Sequence, residues 1–69
     1  MRAETLTQAE REGLAKQLRR FITSTSNYDE DDKNSLRRIV ARWADYGFIA
    51  IHDADEQNAF RLLLEQATS

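Results

Sequence analysis

Leu36, Ile39, Val40 and Trp43 recur at steps of three, one and three, and Gly47 follows four residues after the last of them. On a wheel of 3.6 residues per turn the four side chains fall inside an arc of about 100°, the strongest periodic signal in the chain. A helix sided in this way is stable only when another element covers its stripe. The spacing predicts a helix over residues 29–46, with Asp29 at its start and Gly47 at its end. Glycine takes a left-handed backbone without steric cost, and Phe48 directly after it can fold back on Trp43 as a Schellman cap requires.

Two more helices are predicted around this one. Thr7 and Glu10 have capping-box spacing: the Thr7 hydroxyl accepts from the Glu10 amide while the Glu10 carboxylate reaches back to the Thr7 amide. The helix they open covers residues 7–23. Its inward stripe is Leu14, Leu18 and Phe21, with Ala15 and Ile22 on the flanks and Glu12 and Lys16 four apart on the opposite side. Gly13 lies within it at a cost of about 1 kcal/mol relative to alanine, and tolerance of that cost is expected in place of a close approach. Thr23, Ser24, Thr25, Ser26 and Asn27 favour local side-chain to backbone hydrogen bonds and make the break.

Asp53 and Glu56 repeat the capping-box spacing and open a third helix over residues 54–67. Its stripe is Phe60, Leu63, Leu64 and Ala67, and Leu62 points well away from it. Phe48, Ile49, Ala50 and Ile51 are too few for a helix and rich in β-branched side chains, so they read as a short extended apolar link. The expected fold class is all-α: one small three-helix domain spanning residues 1–69, with residues 1–5 frayed. Its expected core is Leu14, Leu18, Phe21, Leu36, Ile39, Val40, Trp43, Phe48, Phe60 and Leu63.

Composition removes the usual staples of so small a fold. The 69 residues include no cysteine and one histidine, so neither a disulfide framework nor a zinc site of ordinary ligands can be built. Apolar burial in a chain this short roughly offsets the ~1.5 kcal/mol that ordering each residue costs. Residues 48–51 and Leu62 leave more apolar surface than three such helices are expected to hide, which points to a homodimer built on the third helix and the link. No run approaches the ~20 apolar residues that span a bilayer, and Met1-Arg2 is followed by Ala3-Glu4-Thr5 in place of an apolar signal region. A soluble, cytoplasmic protein without membrane contact is the expectation.

Chemistry is sparse. Asp29, Glu30, Asp31 and Asp32 lack the alternating oxygens, central glycine and closing glutamate of a calcium loop, and their charge suits the first turn of a helix. His52 with Asp53, Asp55 and Glu56 has no nucleophile, glycine-rich phosphate cradle or second histidine to work with. No enzyme, cofactor or metal is expected. The arginines are the most suggestive polar residues, because a planar guanidinium donates paired hydrogen bonds to oxyanions. Lys16, Arg19 and Arg20 form one basic strip, in which the helix dipole is a sufficient cause for Arg19 and Arg20, and Arg37, Arg38 and Arg42 form another.

Residues Leu36 to Ile51 resemble part of a winged helix, in which a recognition helix ends in a glycine and an apolar pair opens the wing. After Ile51 a helix starts where the wing strand would return, so the resemblance ends there. By elimination the chain reads as a non-enzymatic regulator or inhibitor of the small bacterial or phage type that docks on another protein. Arg37, Arg38, Arg42, Ile49, Ile51 and Leu62 are its expected contacts. The alternative is a DNA-binding regulator that lays Arg37, Arg38 and Arg42 on the duplex and Lys16, Arg19 and Arg20 on the flanking backbone. The four acids at the start of the same helix oppose that alternative.

Overall fold

Side-chain caps set where the helices begin. In the computed structural model, which describes residues 6–68, α1 spans Gln8–Ser24 behind Thr7, whose hydroxyl accepts from the Glu10 amide at 3.2 Å. The Glu10 carboxylate accepts from the Thr7 amide at 2.9 Å, so both halves of the capping box form. The second helix, α2, spans Glu30–Tyr46 behind Asp29, which accepts from the Asp32 amide at 2.8 Å. The third, α3, spans Ala54–Thr68, and the Asp53 carboxylate accepts from the Asp55 and Glu56 amides at its start. The expectation that residues 1–5 fray falls outside the described residues.

Hydrogen bonds between elements give the topology. The Arg11 Nε at the start of α1 donates to the Ala44 carbonyl near the end of α2, and Lys33 Nζ near the start of α2 donates to the Thr23 carbonyl near the end of α1. These two helices are therefore antiparallel. The far end of α3 returns to the α1–α2 loop, where the Tyr28 hydroxyl donates to Gln66 Oε1 at 2.8 Å. Gln17 Nε2 donates to the Ala67 carbonyl at 3.2 Å. The chain runs up, down and up around one core, and no strand is present among the described residues.

That core is Ala15, Leu18, Ile22, Leu36, Ile39, Val40, Trp43, Ala44, Ile51, Phe60, Leu63 and Leu64. The α2 stripe is as the spacing predicts. On α1 the inward face is rotated: Ala15, Leu18 and Ile22 are fully buried, while Leu14 and Phe21 pack at its edge. Arg11 shares the register of Ala15, Leu18 and Ile22 at steps of four, three and four. Its Nε donates to the Ala44 carbonyl at 3.4 Å and its Nη1 to the Leu6 carbonyl at 2.9 Å. Arg11 thereby serves an otherwise unpaired carbonyl near the end of α2, where positive charge also suits the helix dipole.

The link between α2 and α3 corrects the extended reading. Phe48–Ala50 form a single 3₁₀ turn, with the Ala50 amide donating to Gly47 and the Ile51 amide to Phe48, and only Ile51 is extended. Gly47 is needed but does not make a Schellman cap. Its φ of 87° with ψ of 179° lies in a region that is essentially glycine's alone, outside the left-handed helical well, and its amide donates to the Trp43 carbonyl at 2.8 Å. Phe48 is half-buried, with its ring centroid 6.3 Å from that of Phe60, which in turn lies 4.8 Å from Trp43. Arg61 covers the Phe48 ring at 4.8 Å.

Candidate functional site

The Asp53 cap makes only half of the expected second capping box. The Glu56 carboxylate turns from the Asp53 amide to Arg42, whose Nη2 it meets at 2.7 Å across the α2–α3 seam. Outside this pair the seam opens into a groove of about 360 Å³ lined by Ser35, Arg38, Ala41, Arg42 and Glu56. Arg38 stands one turn before Arg42 and is exposed; its Nη2 donates to the Ser35 hydroxyl at 3.3 Å. Arg37 faces elsewhere, donating to Asn34 Oδ1 at 2.9 Å and lying 3.7 Å from Glu30. The three arginines of the predicted contact set are therefore not equivalent. Two are paired with carboxylates of the chain, and Arg38 is bonded to a neutral hydroxyl.

The apolar members of that set also separate. Ile49 is 81% exposed at the outside of the 3₁₀ turn, and Leu62 is 50% exposed on the outer face of α3. Ile51 is 1% exposed and belongs to the core, so it presents nothing to a partner. Gln57 Nε2 fixes its carbonyl at 2.7 Å. Sequence reasoning passed over Tyr46, which is 72% exposed three residues before Ile49. It also passed over Ser35 and Glu56 as walls of the groove. Tyr46 carried no local signal, because it follows Ile39 by seven residues and Trp43 by three and so sits at the edge of the apolar arc.

The apolar excess that motivated a homodimer is largely absorbed within one chain. Phe60, Leu63 and Leu64 are buried against α1 and α2, Ile51 fills the space beneath the turn, and Phe48 is half-covered. Among the described residues the large hydrophobic side chains left exposed are Tyr46, Ile49 and Leu62.

Lys16, Arg19 and Arg20 are exposed on α1, and no ion pair joins them to a carboxylate among the described residues. Glu12 does not pair with Lys16; it accepts instead from Gln8 Nε2 at 3.3 Å. The dipole does not account for the strip, because α1 continues to Ser24 and its last turn holds no basic residue. At the other end of the loop, Asp29 caps α2 while Glu30, Asp31 and Asp32 occupy its first turn. Among the described residues no three His, Cys, Asp or Glu side chains converge as a metal site, and no helix is long and apolar enough to cross a membrane. His52 is exposed ahead of α3.

Comparisons of the chain with protein-family models, with curated proteins and with solved structures each find no match.

Proposed function

We propose that this chain is a small non-enzymatic regulator that acts by docking on another protein. The observation that carries the reading is the exposed pair Tyr46 and Ile49 at the corner between α2 and the 3₁₀ turn. A β-branched aliphatic left 81% in water, three residues after an exposed aromatic, gains free energy once a partner covers it, and aromatic anchors are over-represented at the centres of interfaces. Charged groups flank the corner: Asp45 is exposed before it and Arg11 lies beneath Gly47, as a polar rim requires. Leu62 is a single exposed leucine on another face, and scattered residues of that kind are common on monomers.

The DNA-binding alternative draws its support from Lys16, Arg19 and Arg20, which are exposed and make no ion pair with a carboxylate among the described residues. It loses support on α2, where Glu30 and Glu56 already engage Arg37 and Arg42. Asp29–Asp32 begin α2 at the same end of the bundle as the last turns of α1, and their charge opposes phosphates laid there.

The test is purification of tagged protein from cells that make it, with wild type and Ile49→Asp side by side. A stoichiometric protein partner retained by wild type and lost by Ile49→Asp supports docking through the corner. Co-purifying nucleic acid that salt strips away favours the alternative. Light scattering of the purified chain distinguishes a second copy as the occupant of the same corner.

A further inference from the structure

We propose that the groove between α2 and α3 receives one carboxylate from an acidic segment of the docking partner, held by Arg38 and Arg42, and that Glu56 occupies Arg42 until the partner arrives. The proposal rests on the protein-docking reading above and names the chemistry of the partner.

The donors fit that ligand. Arg38 and Arg42 are four residues apart on α2, so their side chains are neighbours on one helical face and both line the groove. Arg38 is bonded to the neutral Ser35 hydroxyl at 3.3 Å and meets no carboxylate among the described residues. Arg42 commits Nη2 to Glu56, which leaves further N–H groups of its five-donor fork. While Glu56 is seated, two guanidiniums against one carboxylate leave the groove with one net positive charge, which draws an anion towards it.

Glu56 itself shows the chemistry the groove holds, since it is a carboxylate seated on Arg42 at 2.7 Å. It also has a second place to go. Glu56 stands three residues after the Asp53 cap, the position from which a glutamate returns to the N-cap amide. Moving the carboxylate from Arg42 to that amide exchanges one charge-assisted hydrogen bond for another and frees Arg42 for an incoming acid. The half-made capping box is thus the resting state of an internal competitor.

The experiment is an NMR titration of ¹⁵N-labelled protein, reading the Arg38 and Arg42 Nε–H signals, with acetyl-Glu-Glu-amide as probe. Acetyl-Gln-Gln-amide and inorganic phosphate are the comparison ligands. Saturable shifts at both arginines with the Glu peptide, and none with the Gln peptide, are expected. Arg38→Ala, an exposed position whose loss leaves the core intact, is expected to weaken binding about tenfold, the effect of one charge-assisted hydrogen bond. Glu56→Gln removes the competitor and raises the groove to two net positive charges, so the peptide is expected to bind several-fold tighter, a gain that a purely structural Glu56 would not give.

Three results overturn the proposal: unchanged or weaker binding in Glu56→Gln, tighter binding of phosphate than of the Glu peptide, or equal shifts at Lys16, Arg19 and Arg20. A protein partner retained equally by wild type and Arg38→Ala overturns the groove and leaves docking through Ile49 intact. Peptide binding in the groove with no protein partner retained overturns the docking reading and not the preference for a carboxylate.

Discussion

The Arg42 guanidinium meets the Glu56 carboxylate at 2.7 Å and joins α2 to the first turn of α3. Both side chains remain more than a third exposed, at 41% and 35%, so water screens much of their attraction. A double-mutant cycle with Arg42→Ala and Glu56→Ala is expected to give a coupling of about 0.5 kcal/mol that shrinks as salt rises. A coupling above about 2 kcal/mol, insensitive to salt, would show the pair to be buried in solution.

The two glycines are expected to respond in opposite directions. A methyl built on Gly13 meets nothing within 4 Å, so Gly13→Ala keeps every contact of α1 and removes a helix-interior glycine. Stability should rise by about 0.5–1 kcal/mol in urea unfolding. At Gly47 the nearest neighbour is the Arg11 guanidinium at 3.8 Å, which leaves room, but the φ of 87° strains any other residue. Gly47→Ala should lose about 1–3 kcal/mol in the same assay.

Trp43 is fully buried against Phe60, yet its Nε1 finds no acceptor among the described residues. Removing the ring should cost about 3–5 kcal/mol, as much as a domain of this size can spare, and Trp43→Ala is expected to be unfolded by circular dichroism. Trp43→Phe deletes the unpaired donor along with part of the ring. The relief of about 1–3 kcal/mol for an unsatisfied buried group offsets most of the cavity, and a net loss below about 1.5 kcal/mol is expected.

Helix limits were legible because Thr7, Asp29 and Asp53 announce them through contacts made within three residues in the chain. The faces of the helices were less so. Arg11 occupies the apolar register of α1 because its end meets Ala44, 33 positions away, and no local spacing carries that information. The Glu56 carboxylate illustrates the same limit: its capping-box position is local, its bond to Arg42 is not. A charged residue in register with Ala15, Leu18 and Ile22 argues locally against burying that face, and only the long-range bond to Ala44 reconciles the two.

Glu10 gives α1 a pH dependence. The Thr7 amide, and then the Thr7 hydroxyl, hold its carboxyl below the usual carboxylate range. The folded state therefore binds the proton less readily than the unfolded chain, whose glutamates titrate near about 4.3. The contribution is fully present above that value and is lost as pH falls through the lower folded value. Wild type is expected to exceed Glu10→Gln in urea midpoint at pH 6, and the gap should close on acidification below about pH 4. A gap that persists at low pH would mean the capping carboxylate is not the titrating group.

Ile49 and Ile51 provide the sharpest test of how the link is built. In an extended segment residues two apart share a face, so the pair would either both be covered or both be free. A 3₁₀ turn advances about 120° per residue and separates them, leaving Ile49 81% exposed and Ile51 1% exposed. Ile49→Asp should change unfolding free energy by no more than about 0.5 kcal/mol, as surface substitutions do. Ile51→Asp buries an unpaired carboxylate beside Phe60 and Trp43 and is expected to abolish the fold. Helical signal by circular dichroism and elution volume of the two variants check this directly. Equal damage from both would restore the extended link and take away the exposed corner on which docking depends. A folded Ile49→Asp that no longer retains the partner, beside an unfolded Ile51→Asp, would assign contact and core to isoleucines two residues apart.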